Sequence, residues 1–175
     1  MDWRAEVLDQ LDLYWEHNLT PALAGLTDDE YFWEPVKDCW SVRTAADGHA
    51  TLDGGHETPD PPPVTTIAWR MTHVAFHVLG IRTSAHFGDG SLTMATAELP
   101  VTAAAAVAAL ERHYRDWRDA VSNLDEAALE RPIGEAEGPW ADRPMATLML
   151  HVNREVMHHG AEVALLRDLY RTHFA

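Results

Sequence analysis

The chain has 175 residues, enough for one domain with a real core, and its 46% hydrophobic and 23% charged residues are those of an ordinary globular protein. A formal net charge of −15 repels phosphate backbones, which argues against nucleic acid as a partner. No apolar run reaches the roughly 18 residues of a membrane span, and the acidic, amphipathic start MDWRAEVLDQ is not a signal peptide, so a cytoplasmic location is expected.

The lone cysteine, Cys39, rules out an intrachain disulfide and a cysteine-only metal cage, and reads as a small, partly buried apolar residue. Lys37 is the one lysine against twelve arginines, a bias of GC-rich coding.

In chain order, residues from about Asp2 to Ala24 predict a first helix. Val7, Leu8, Leu11, Trp15, Asn18, Leu19 and Ala22 recur at three- and four-residue spacings. TDDE, Thr27–Glu30, has the form of a capping box and predicts a short helical turn. A long polar segment follows, roughly Lys37 to Pro63, ending in ETPDPPP, which cannot continue a helix. The second helix is expected from about Val64 to Phe87, with Gly88 as a left-handed cap. The third begins near Thr102 and carries the stripe Val107, Leu110, Tyr114, Trp117, Val121 and Leu124. IGEAEGPWADRP reads as a loop. The fourth helix starts near Arg143, with Asp142 as candidate cap and Pro144 in the first turn, and runs to about Arg171. No run of β-branched alternation predicts a strand. These features predict an all-α, four-helix bundle in a single domain over residues 1–175, with room for a crossover around residues 37–63 or 88–101.

The fourth helix poses the chemical question. At about 100° per residue, Met145, Leu148, Met149, Val152, Val156, Val163, Leu166 and Tyr170 share one face. Glu155 and His159 lie within that stripe, with His151 and His158 at its edge and Glu162 on its flank. An ionised carboxylate facing a core costs several kcal/mol unless compensated. Glu155 and His159 are four residues apart and meet on one face. A divalent ion would offset the buried charge and fix the imidazole tautomer. A third ligand is expected from a facing helix. In IAWRMTHVAFHVLGIR of helix two, His73 sits mid-stripe with Trp69, Phe76, Gly80 and Phe87, and His77 is the reserve candidate. The candidate metal ligands are therefore His73, Glu155 and His159. His17, His49, His56, His86, His113 and His173 read as surface residues. A di-metal carboxylate site would need a second Glu-x-x-His unit besides Glu155–His158, and the chain has none.

IAWRMTHVAFHVLGIR, HVNREVMHHGAEVALLRDLY and LTDDEYFWEP, in this order and spacing, resemble the DinB-like bundles. The branch they most resemble contains the N-terminal domain of mycothiol-dependent maleylpyruvate isomerase and related thiol-dependent transferases. The resemblance implies a four-helix bundle with a long crossover between helices two and three. It also implies one metal ion held by a histidine of helix two and two residues one turn apart on helix four. In the isomerase version the first helix-four ligand is glutamate, and the matching residues here are His73, Glu155 and His159. The isomerase carries a further C-terminal domain that this chain does not show.

Three protein ligands leave an open coordination position, the layout of a catalytic site. The resemblance then implies a metal-dependent thiol S-transferase. A divalent ion, zinc by default with nickel or iron also fitting, would activate a low-molecular-weight thiol such as mycothiol for attack on a small electrophile. The alternatives are a metal-dependent hydrolase, a non-enzymatic metal- or ligand-binding stress-response bundle, and a helical homodimer with structural histidines. Trp33, Trp69 and Phe76 are candidates to wall the pocket. Arg43 and Arg154 are candidates to hold a substrate carboxylate, Arg154 reading more simply as a solvated cation.

Overall fold

Four long helices form where the 3.6-residue stripes predict them, in a computed structural model that describes residues 1–54 and 59–175. Helix one covers residues 3–23, opened by Asp2, whose side chain accepts from the Ala5 amide at 3.1 Å. Helix two covers residues 67–87, opened by Thr66, whose Oγ1 accepts from Trp69 N at 3.2 Å. Helix three is Ala103–Ser122 and helix four is Met145–His173.

Helices one and two each contain a widened stretch, Trp15–Leu19 and His73–Gly80, whose amides reach five residues back rather than four. In helix one the widening moves the following residues around the axis. Asn18, expected in the apolar stripe, is exposed, and Leu23 is buried.

Named contacts fix the helix directions. Val7 O accepts from Asn153 Nδ2 and Ala22 O from Arg167, so helices one and four run parallel. Phe76 packs on His113 and Phe87 on Trp117, so helices two and three also run parallel. Asp12 meets Arg118, while Arg4 reaches Ser122 O, so helices one and three are antiparallel. Parallel neighbours cannot be joined by a tight turn, so residues 88–102 run back along the bundle. This is the crossover between helices two and three. Its end is fastened where Tyr31 Oη donates to Pro100 O and Asp28 accepts from Ala103 N.

The core is one cluster drawn from all four helices, with Leu11, Leu79, Val121, Val152 and Val156 fully buried. Burying each such side chain stabilises the fold by about 1.5–3 kcal/mol. Two glycines allow close helix approach. A Cβ at Gly80 would meet the His113 ring at 2.9 Å, and one at Gly160 would meet Tyr14 Oη at 2.5 Å.

Several expectations need correction. The polar segment after helix one contains an antiparallel hairpin, β1 (Val42–Thr44) with β2 (Ala50–Leu52). Its strands are three residues each, too short for alternation to signal them. Gly88 ends helix two in an extended conformation, φ −119°, rather than a left-handed one, and its missing Cβ admits Ser84 O. Helix four begins at Met145 with Pro144 rather than Asp142 in the capping position, and Met145 N is bonded outside the helix to Arg131 O. His113 is buried against Phe76 and Gly80, and the His86 side chain is covered by Glu137, so neither is a surface residue. His17, His49 and His173 are exposed, and His56 lies outside the described residues. Among the described residues no helix is long and apolar enough to cross a membrane.

Candidate metal centre

Helix two and helix four run antiparallel through the bundle, and this brings His73 opposite Glu155 and His159. His73 Nε2 lies 3.8 Å from Glu155 Oε2, and His159 Nε2 lies 3.4 Å from the same oxygen. One donor atom from each of the three residues falls within 4.8 Å of the others. Donors about 2.0–2.1 Å from a tetrahedral zinc ion are separated by roughly 3.3 Å. The spacing and the nitrogen–oxygen donor set therefore fit one divalent ion. The three side chains are mostly covered, at 23%, 21% and 12% exposure.

The far side of each imidazole is also engaged. His159 Nδ1 is 2.8 Å from Glu162 Oε2, so Nδ1–H donates to the carboxylate and the Nε2 lone pair faces Glu155. Arg70 Nη1 donates to the same Glu162 oxygen and holds it in place. His73 Nδ1 is 3.3 Å from His77 Nδ1. A proton on His73 Nδ1, donated to His77, leaves His73 Nε2 free. Trp69 stacks on His73 with ring centroids 5.0 Å apart and planes 10° apart. Its own Nε1 donates to Asp53 O at 2.7 Å, which ties it to the end of the β-hairpin.

Burial of the imidazoles, and the cations around Glu155, favour the ligand-ready protonation states. Burial pushes His73 down to about 3, with His159 and His77 adding to the shift. Burial likewise lowers His159 and His77, in His159 against the opposing pull of Glu162. Burial alone would raise the Glu155 carboxyl, but His151, Arg154, His159 and His73 outweigh it and hold it below its usual range. Two neutral imidazoles and a carboxylate are the forms a metal binds.

A second acidic–histidine group, His158, His159 and Glu162, lies on helix four alone. Its closest pair, Glu162 Oε2 with His159 Nδ1, is a hydrogen bond already shared with Arg70. A cation there would meet the Arg70 guanidinium, so this group reads as the support of His159.

His73 and His159 face a cavity of about 920 Å³ that is also lined by Trp40, Trp69, His77 and His158, among others. The β-hairpin supplies another wall through Ala50, Thr51 and Leu52. Of the aromatic residues expected to wall it, Trp69 does so. Phe76 is instead buried in the core against His113, and Trp33 packs on Tyr170. Arg43 is not free for a substrate, because Glu34, Asp53 and Cys39 O take its guanidinium at 2.7, 2.8 and 2.6 Å. Cys39 is buried, as read from the sequence.

Sequence reasoning missed three contributors. Arg70 and Glu162 hold His159, and the hairpin with Trp40 roofs the cavity. The Glu162 signal was present, since it lies three residues after His159 on the same side of the helix. Arg70 had no comparable signal, because its partner Glu162 is 92 residues away.

No curated protein and no solved structure matches the chain. The profile of the DinB superfamily matches residues 10–163, which include all three residues of the triad and the connection between helices two and three, and the chain therefore belongs to the DinB superfamily.

Proposed function

We propose that this protein is a metal-dependent thiol S-transferase, with His73, Glu155 and His159 holding one divalent ion, zinc by the chemistry of the donors. The observation that carries the reading is the convergence of three such donors, two of which, His73 and His159, line a large cavity. Membership of the DinB superfamily, whose members typically bind a metal, supports it. Glutamate as the first helix-four member is the pattern of the thiol-dependent branch the sequence resembles.

A bound divalent ion supplies acidification of a coordinated thiol, so that thiolate is present near neutral pH. The protein's residues do the rest. Glu162 and Arg70 orient His159, His77 and Trp69 orient His73, and Glu155 balances the charge. Trp69 and Trp40 restrict water on one side. The cavity volume of about 920 Å³ admits a thiol with a bulky polar body, and His49, Thr51 and Asp53 offer it polar partners.

Two measurements test this. Metal content of untagged protein should approach one ion per chain and be lost in Glu155→Ala. Conjugation of mycothiol to monobromobimane or a chloronitroarene should exceed background and disappear with the metal. Metal without turnover across several thiols would favour a binding protein. No metal after addition of zinc, nickel or iron would reduce the triad to a buried ion pair and remove the enzymatic reading.

A further inference from the structure

A second cavity, of about 580 Å³, shares no lining residue with the first. His151 and Arg154 line it, and they are the residues that contact the other oxygen of Glu155. Glu155 thus divides its carboxylate. Oε2 faces His73 and His159, while Oε1 lies 3.6 Å from His151 and 3.3 Å from Arg154.

The lining is largely apolar. Ile133 and Leu148 form the covered part, and Trp140 and Leu150 contribute to the same hollow although each is 59% exposed. Two large apolar side chains left in water around one concavity offer a ligand surface that the fold itself does not use.

The charges in the lining are nearly all committed. Arg82 gives Nε and Nη2 to Glu137, at 3.1 and 3.4 Å, and Nη1 to His77 O at 2.9 Å. Glu137 is balanced by Arg82 and bonded to His86 at 3.0 Å. Arg154 is the exception. Its Nη2 meets His151 Nδ1 at 2.6 Å and Glu155, but Nε and Nη1 have no partner among the described residues. Its side chain is 69% exposed. A guanidinium with two free nitrogens beside an indole and aliphatic groups matches a carboxylate attached to an apolar body.

We infer that this cavity binds a small organic acid, its apolar or aromatic body seated on Trp140, Leu148 and Leu150 and its carboxylate paired with Arg154. The site does not require a metal at the triad.

Calorimetric titration of the full chain with 2-naphthoate and with neutral 2-naphthamide tests it, before and after EDTA treatment. One saturable site is expected, with the acid bound about tenfold more tightly than the amide, the scale of a charged hydrogen bond. Arg154→Met should bring the acid to the level of the amide. Thr147→Trp, which fills the hollow, and Trp140→Ala, which removes a wall, should each weaken both ligands at least severalfold. Circular dichroism melting confirms that the variants fold, and Trp140→Ala keeps the test decisive if the larger tryptophan is not tolerated. The inference is overturned by affinity weaker than about 1 mM for the acid, or by an acid preference that survives Arg154→Met. Binding that vanishes only with EDTA would place the ligand at the triad and overturn it equally. None of these outcomes depends on turnover, so the site stands or falls separately from the transferase reading.

Discussion

Glu162 accepts from His159 at 2.8 Å on the ring edge opposite the one that faces Glu155. This pair decides which nitrogen of His159 carries the proton. With Nδ1 donating to Glu162, Nε2 is left as a lone pair aimed at the triad. Arg70 fixes the carboxylate in turn.

Glu162→Gln should therefore weaken zinc binding without removing a ligand. Loss of an orienting carboxylate costs about 10–100-fold in metal affinity. Competition against a chromophoric chelator measures this, with melting of the metal-free protein as control. Affinity equal to wild type would show that Glu162 does not set the tautomer.

The depressed imidazoles predict a pH dependence of the metal-free protein. His73, His77, His113, His151 and His159 all have folded values below 6.5, chiefly through burial. The unfolded chain binds more protons than the folded one below that pH, so stability falls as pH drops through about 6.5. For His73 the loss continues down to its folded value of about 3. Each such group costs up to about 1.4 kcal/mol per pH unit in its window. Depressed carboxyls such as Glu155 and Glu137 add their losses only as pH falls through the ordinary glutamate value of about 4.5. Urea unfolding at pH 6.5, 5.5 and 5.0 isolates the histidine contribution, and His73→Gln should flatten the slope. An unchanged slope in that variant would mean that His73 is not held neutral by the fold.

How much of this was legible follows from the geometry of helices. Angular position on a helix is set by local spacing, so His73, Glu155 and His159 could be placed on inward faces before any fold was known. Their meeting needed only that helices two and four be neighbours. The crossover also left a trace, as a long interval between two stripes. Burial of His86 and His113 was not legible, because it comes from Glu137, 51 residues from His86, and from a glycine on a different helix. The widened stretch His73–Gly80 left no mark in the apolar pattern. The hairpin that walls the cavity was hidden by its brevity. Contacts made by few residues across long separations carry no periodic signal.

A buried ion pair at the other end of helix four gives a third prediction. Arg167 is bidentate to Glu30, 3.0 Å to each oxygen, and also donates to the carbonyls of Ala22 and Ala24. Glu30 also completes the Thr27 capping box, so one carboxylate joins helix one, the short turn after it and helix four. Arg167→Ala leaves that covered carboxylate with only the half-exposed Arg171, 3.6 Å away, and the Thr27 amide, so the expected cost is at the low end of the range for a broken buried pair, about 3 kcal/mol. Arg167→Met with Glu30→Gln should recover part of the loss, since no buried charge remains. Denaturant unfolding of the three proteins decides it. A loss below about 1 kcal/mol for Arg167→Ala would mean the pair behaves like a surface bridge.

Gly80 supplies the last prediction, because two effects there oppose each other. In a helix interior, alanine is favoured over glycine by about 0.8–1 kcal/mol. At this position the added Cβ would meet the His113 ring at 2.9 Å and Ala75 O at 3.0 Å. Neither partner can simply swing away, since His113 is buried beneath Phe76 and Ala75 O belongs to the backbone. Overpacking of this kind costs about 1–3 kcal/mol, so the clash outweighs the propensity gain. Gly80→Ala should be net destabilising. The widened stretch that carries His73 and His77 ends at Gly80, so displacing helix two from helix three should also weaken metal binding. Shrinking the opposing ring by His113→Ala should make Gly80→Ala less harmful than it is alone. A double-mutant cycle measures that coupling. Additive energies, or a stabilised Gly80→Ala, would show that the two helices can separate freely at this point.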